Sequence, residues 1–216
     1  RVTNNLTAII GLLYTEQRHS PKEARTAYQS ILKDLIGRVQ SLATVHSLLS
    51  RSEWSPLPLS ELVTQVIQTS LQALPSKKRV LVDVGPSPVR VTPEQAHNLA
   101  LIVNELTTNT IKHALEDRNK AHIAVRTTLE NDTVVLEFQD DGPGYPEEVL
   151  QFKRHNVGFD LVQNIVRKNL NGELCLYNNP GAVTAIRFRL EPQGANGIQF
   201  ASTAQAMPGR EHLAPM

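Results

Sequence analysis

Cysteine is almost missing from this sequence of 216 residues: the single Cys175 excludes a disulfide framework and a zinc site built from the cysteines of one chain. No apolar run approaches the roughly 20 residues that cross a bilayer, and the chain does not open on a basic-then-apolar leader. Charge of one sign is missing as well. Lys and Arg total 22 against 21 Asp and Glu, a net +1 with no block of like charges, which argues against non-specific nucleic-acid binding. Aromatic residues are only 5% of the chain. What is present is 40% hydrophobic and 20% charged residues, near globular averages, so wholesale disorder is excluded. The length suits one ordinary domain and a smaller module, or a single large domain. Cysteine usage points to a reducing, cytoplasmic setting for this part, with a membrane tether upstream left open.

The first fifty residues read as a helical hairpin. Val2, Leu6, Ile9 and Leu13 share one stripe of a helix. Ser20-Pro21-Lys22-Glu23 then combines an N-cap serine, a proline at the first helical position and a glutamate three residues after the cap, a capping box. From there Tyr28, Leu32, Leu35, Val39, Leu42, His46 and Leu49 alternate intervals of four and three, the period of helices packed side by side. Pro56 and Pro58 stop the second helix, so the hairpin closes near Trp54, with residues 1–55 as one unit. So narrow a seam is expected to dimerise into a four-helix bundle; packing on the chain's own globular part is the alternative. The first arm, about 17 residues or roughly 25 Å, is shorter than the second, about 30 residues or roughly 45 Å. Arg1 starts mid-pattern, so the first helix is expected to have been cut.

Residues 56–192 read as an α/β unit, and 193–216 as a flexible tail, small, polar and aperiodic. Ser60 is expected to cap a helix carrying Leu62, Val63, Val66, Ile67 and Leu71, followed by short strands over 80–84 and 89–91. Thr92-Pro93-Glu94-Gln95 repeats the capping-box pattern and opens a helix to about Ala114. Strands over 123–129 and 134–139 turn at Asn131-Asp132, and a helix over 159–170 stops at Asn171-Gly172. Final strands span 174–177 and 185–190. The fold class is therefore α+β, a mixed and largely antiparallel sheet covered on one face by helices.

Four short motifs carry chemistry. On the helix after Thr92, Glu105, Thr108, Asn109 and Lys112 share a polar face. A carboxylate and an amide one turn apart offer hard oxygen donors to Mg²⁺, and a lysine beside them suits phosphate; a solvated surface fits the same pattern. Asp140-Asp141-Gly142-Pro143-Gly144 ends a strand with a carboxylate able to accept an amine, and its glycines permit close backbone approach; a tight turn is the alternative. Asn156-Val157-Gly158-Phe159 sets a glycine at a helix N-terminus, where free N–H groups favour phosphate. Pro180-Gly181-Ala182-Val183-Thr184 leads into the last strand.

In this order and on these elements the four motifs resemble the N, G1, G2 and G3 boxes of the GHKL ATPase superfamily. Arg1-Val2-Thr3-Asn4-Asn5-Leu6 resembles the sequence just after the phosphoacceptor of sensor histidine kinases whose motif reads His-Arg-x-x-Asn-Asn-Leu, and Arg38-Val39-Gln40-Ser41-Leu42-Ala43 with His46 resembles their second helix. The resemblance covers about residues 1 to 191. It implies the transmitter core of a two-component system: a dimerisation and phosphotransfer hairpin joined to an ATP-binding domain of Bergerat type, passing phosphate from ATP to a histidine and then to an aspartate on a response-regulator receiver.

By motif matching, Asn109 would coordinate Mg²⁺, Lys112 would meet phosphate oxygens and His113 would lie along the adenine. Asp140 would accept the adenine amine with Thr184 supporting it, and Gly142, Gly144 and Gly158 would supply close backbone approaches. Glu105 stands where many histidine kinases carry asparagine, and Arg1 stands where the acid after the acceptor is usual. Glu105 is therefore the candidate base or nucleophile-orienting group. The acceptor histidine is expected just before Arg1, so ATP binding without autophosphorylation is expected of this chain. Asn156 replaces a usual glycine and the 145–155 loop is short for a lid; Lys153 and Arg154 are open to phosphate contact or to solvation. These departures keep two rivals in view, a non-catalytic phosphotransfer or scaffold protein and an anti-sigma-type serine kinase. His46 is expected in the seam, and Trp54 is expected to anchor the hairpin on the ATP domain.

Overall fold

Hydrophobic residues at helical spacing in two consecutive segments, and at alternating positions in the strands, meet in one core. In the computed structural model, which describes residues 25–153 and 157–191, the elements run α1 (Arg25–Arg51), β1 (Leu57–Pro58), α2 (Leu59–Leu71), β2 (Arg79–Val84), β3 (Arg90–Val91) and α3 (Pro93–His113). They continue with β4 (Lys120–Glu130), β5 (Thr133–Asp140), the short α4 (Glu147–Leu150), α5 (Val157–Asn164) with a π turn over Ile165–Asn169, β6 (Glu173–Asn178) and β7 (Ala182–Arg189). The expectations for the stripe Val2–Leu13, the Ser20 capping box, the side chain of Tyr28, Arg154, Asn156 and the tail lie outside the described residues.

The main sheet has the order β2-β4-β5-β7-β6. Its first pair is parallel and the others are antiparallel. Period-two alternation buries Val134, Leu136 and Phe138 of β5 on the face where Leu99, Ile102 and Leu106 of α3 pack. That fixes α3 against the sheet and brings its C-terminal half beside the end of β5. The β4–β5 turn is made by Asn131 (φ 47) and Asp132 (φ 63), two residue types that tolerate the left-handed region a tight hairpin needs.

Capping behaves differently at the two predicted sites that lie among the described residues. At Thr92 the box forms in full: the Gln95 N–H donates to Thr92 Oγ1 at 3.2 Å, and the Thr92 N–H donates to Gln95 Oε1 at 3.4 Å. At Ser60 it does not. Helix α2 starts two residues earlier, with Pro58 at the N-cap and no side-chain cap, because Leu57–Pro58 pairs with Arg90–Val91 and orients the chain before Ser60.

Helix α1 packs on α2 and α3 rather than standing clear of them. Leu32, Ile36, Val45, Leu48 and Leu49 are buried there, whereas Leu35, expected in the same seam, is 42% exposed and Ile31 64%. The buried stripe is rotated from the predicted one because Ser41 and Gly37 let α1 approach the other helices closely: Ser41 is fully buried, its hydroxyl satisfied by the Gly37 carbonyl. Trp54 does not anchor the two parts together. It is 51% exposed and meets His46 of α1 edge-on at 5.4 Å, so His46 is a partly exposed contact and not a core residue.

Gly181 sits where the last strand passes behind the end of β5. A Cβ there would fall 1.9 Å from the Asp140 carbonyl oxygen and 2.8 Å from its carbonyl carbon, both backbone atoms that cannot swing aside. Gly181→Ala is expected to destabilise the fold by about 1–3 kcal/mol, the usual range for overpacking. Gly85→Ala, whose Cβ would meet the flexible Arg126 side chain at 3.2 Å, is expected to change much less. Thermal denaturation of the two variants checks the contrast.

Candidate nucleotide-binding site

The residue that closes β5 organises the site. Strand alternation puts Asp140 on the helix-facing side, next in line after Phe138, while Asp141 turns the other way. Asp141 closes the end of the sheet instead: its Oδ1 accepts from the His122 N–H at 2.8 Å and from Arg118 at 2.9 Å. The Asp140 carboxylate is held by donors on three elements. Oδ1 accepts the Gly142 N–H at 2.8 Å and the Ala182 N–H at 3.4 Å, and Oδ2 lies 3.0 Å from the Thr110 hydroxyl of α3. The single Thr110 proton is shared with the Leu106 carbonyl at 3.1 Å, so Oδ2 keeps acceptor capacity.

Above this carboxylate opens a cavity of about 170 Å³, lined by Leu106, Phe138, Val149 and Phe159 on its apolar walls and by Asn109, His113, Asp140, Gly144 and Tyr145 on its polar side. The volume is below the roughly 300–1,000 Å³ of pockets that enclose a drug-sized ligand. A cavity of that size takes part of a larger ligand and not the whole of it. Two glycines are required by contact. A Cβ on Gly142 would stand 2.8 Å from both Ala114 Cβ and Asp140 Oδ1, and Gly144 has φ +85 with its would-be Cβ 2.8 Å from the Asn178 side chain. Gly158 is the second residue of α5, next to Phe159 in the cavity wall.

Asn109 and His113, four residues apart on α3, share the cavity stripe. Glu105 and Lys112, predicted beside them, turn toward α1. The buried Glu105 accepts from Arg38 Nε at 2.7 Å, and Lys112 Nζ reaches both oxygens of Asp34 at 2.9 and 3.1 Å. The polar face of α3 is thus neither one site nor bare surface. It is divided between a cavity and a helix. The Thr184 hydroxyl, expected to support Asp140, is buried and lies 2.6 Å from the Tyr145 hydroxyl.

Tyr145 is the residue that sequence reasoning missed. The ring is half-exposed, but burial of its hydroxyl end raises its pKa to about 12, with the nearby Asp140 charge acting in the same direction and the Thr184 hydrogen bond opposing both. The signal available in the sequence was an aromatic residue directly after the glycine pair. Among the described residues no group of three or more His, Cys, Asp or Glu could hold a metal ion, and the cavity offers the Asn109 amide and the Asp140 carboxylate as oxygen donors. Amide and carboxylate oxygens are hard donors of the kind Mg²⁺ takes, short of a full coordination shell, so phosphate and water oxygens would have to complete it.

A family model described as "Histidine kinase-, DNA gyrase B-, and HSP90-like ATPase" matches residues 94–194, and one described as "Histidine kinase" matches residues 1–74. Sensor histidine kinase PdtaS of Mycolicibacterium smegmatis is 29% identical over 206 residues, covering 88% of this chain and 38% of that protein. The protein of that name from Mycobacterium tuberculosis is 26% identical over 200 residues, covering 91% and 39%. The chain therefore spans less than half the length of these curated relatives. Among solved structures, the histidine kinase domain of the Erythrobacter litoralis EL346 blue-light activated histidine kinase superposes with a TM-score of 0.63 at 20% identity, over 87% of this chain and 94% of that one. The catalytic domain of histidine kinase ThkA superposes with a TM-score of 0.52 at 16% identity, over 64% and 97%. Those likenesses concern the fold.

A tyrosine whose pKa is raised on folding contributes stability that is complete below pH 10 and is lost as the pH climbs toward 12. Tyr177, whose hydroxyl donates to Glu137 at 2.6 Å, is likewise pushed up to about 12. Absorbance titration of tyrosinate is expected to show one late-titrating group fewer in Tyr145→Phe than in the native chain.

Proposed function

Since the chain belongs to the histidine kinase family, whose ATPase domain implies ATP binding, we propose that the cavity over Asp140 takes the adenine of ATP and that the chain is the ATP-dependent phosphorylating core of a two-component system. The observation that carries the reading is the Asp140 carboxylate, held by three donors at the end of an apolar slot with acceptor capacity left for an exocyclic amine. Leu106, Phe138 and Phe159 sandwich the base. His113 lies along it at the mouth, and Thr184 and Tyr145 close the inner end. The small volume leaves the ribose and phosphates to pass Asn109, which takes Mg²⁺ together with the phosphate oxygens, and to run on toward Lys112. Gly142, Gly144 and Gly158 keep the backbone near the nucleotide.

In the proposed reaction a ring nitrogen of a histidine, expected just before Arg1, attacks the γ-phosphorus. The bond to the bridging oxygen breaks, ADP leaves with that electron pair, and a base takes the ring proton. Glu105 is the proposed base or orienting group, and positioning with charge neutralisation supplies most of the rest. The phosphate then passes to an aspartate of a response-regulator receiver. The uncovered residues Ile31 and Leu35 of α1, 64% and 42% exposed, support a homodimer formed through the hairpin. We place the activity in the cytoplasm. Among the described residues no helix is long and apolar enough to cross a membrane.

Calorimetric titration of a non-hydrolysable ATP analogue with Mg²⁺ is expected to give saturable binding that Asp140→Asn weakens about ten- to a hundred-fold, the range for a charge-assisted hydrogen bond. Omission of Mg²⁺ is expected to weaken it further. A folded chain that binds no nucleotide at millimolar concentration would instead favour a phosphotransfer scaffold.

A further inference from the structure

Two ion pairs join α1 to α3, and both take their α3 partner from the stripe that a nucleotide's phosphates would reach. Asp34 and Arg38 are one turn apart on α1, Glu105 and Lys112 two turns apart on α3, and the pairing is antiparallel: Asp34 with Lys112, Arg38 with Glu105. Between the pairs the helices touch. A Cβ added to Gly37 would come within 3.4 Å of the Asn104 side chain, and that amide oxygen accepts the Ser70 hydroxyl of α2 at 3.0 Å.

The two pairs differ in how easily they can be exchanged. At the inner one the side chains are only 22% (Arg38) and 6% (Glu105) exposed, so separating them strands a buried carboxylate. The outer pair is open to water, at 42% for Lys112 and 31% for Asp34, and an exposed pair of this kind is weak and replaceable. Asp34 also presents both carboxylate oxygens to one ammonium, at 2.9 and 3.1 Å. Phosphate oxygens would present the same arrangement of negative oxygens to Lys112.

We propose that α1 is a tethered competitor of the nucleotide's phosphates: Asp34 occupies Lys112 in the absence of ATP, Arg38 holds Glu105, and an arriving triphosphate displaces Asp34 first and thereby loosens α1 from α3. Lys112 and Glu105 then become available together with the nucleotide. This rests on the reading of the cavity as an ATP site with its phosphates running past Asn109. It adds that hairpin docking and nucleotide binding oppose each other, so each weakens the other by the same factor.

The test is the affinity of the chain for the Mg²⁺ complex of a non-hydrolysable ATP analogue. Asp34→Asn removes the competing charge from an exposed position and is expected to tighten binding about two- to five-fold, the effect of one exposed ion pair. Unchanged or weaker binding by Asp34→Asn, with the native chain binding normally, overturns the competition and leaves the ATP reading standing. No binding by either chain overturns both. A second measurement does not depend on that variant: spin labels at Lys33→Cys and Asp117→Cys, in a Cys175→Ser background, report the α1-to-domain distance by pulsed electron resonance. The analogue is expected to shift the distribution to longer distances; a distribution that stays put at saturating analogue overturns the proposal.

Discussion

A charged carboxylate buried between helices needs a partner for its charge, and the way α1 sits on α3 follows from one such group. Glu105 is 5% exposed on the helix that also carries Asn109 and His113 to the cavity. Its charge is met by Arg38, which comes from the hairpin helix. Removing either partner leaves an uncompensated charge, a loss of about 3–5 kcal/mol for a buried pair. The apolar contacts of Leu32, Ile36 and Val45 give α1 an area to bury, but those contacts are non-directional. The Arg38–Glu105 bond and the close approach at Gly37 supply the register.

The same helix α3 serves two neighbours because adjacent stripes differ by a fraction of a turn. Leu106, Asn109 and His113 line the cavity, and Glu105 and Lys112 lie alongside them facing α1. The sequence places Glu105, Asn109 and Lys112 within one polar sector, and the sector is divided only when a second helix arrives. A nucleotide bound at Asp140 would send its phosphates along the boundary between the two stripes. On the proposed reading, nucleotide binding and the packing of α1 therefore act on a single helix face.

Much of this was legible beforehand where the determinant is local. The Thr92 box, the β4–β5 turn at Asn131-Asp132 and the position of Asp140 at a strand end all depend on residues within a few positions of one another, which periodicity and capping rules capture. The parts that were not legible are non-local. Arg38 and Glu105 lie 67 positions apart, and nothing in either segment marks the other. The heptad spacing around Leu35 was read as one seam, yet it contains two stripes that separate only when α2 and α3 cover one of them. Ser60 failed as a cap for the same reason, since β1 pairs with a strand more than thirty residues away. Tyr145 carried a local signal, an aromatic after paired glycines, but its role became apparent only with Thr184 of the last strand beside it.

The central claim is that the cavity above Asp140 is where a nucleotide sits. Amide chemical-shift mapping of the isotopically labelled chain during titration with Mg²⁺ and ADP tests it most directly, since the readout is positional. The account predicts shifts concentrated at residues 106–113, 138–145 and 182–184. Shifts confined to the polar groove at the far end of the sheet, around Gly172, Arg187 and Arg189, would contradict it.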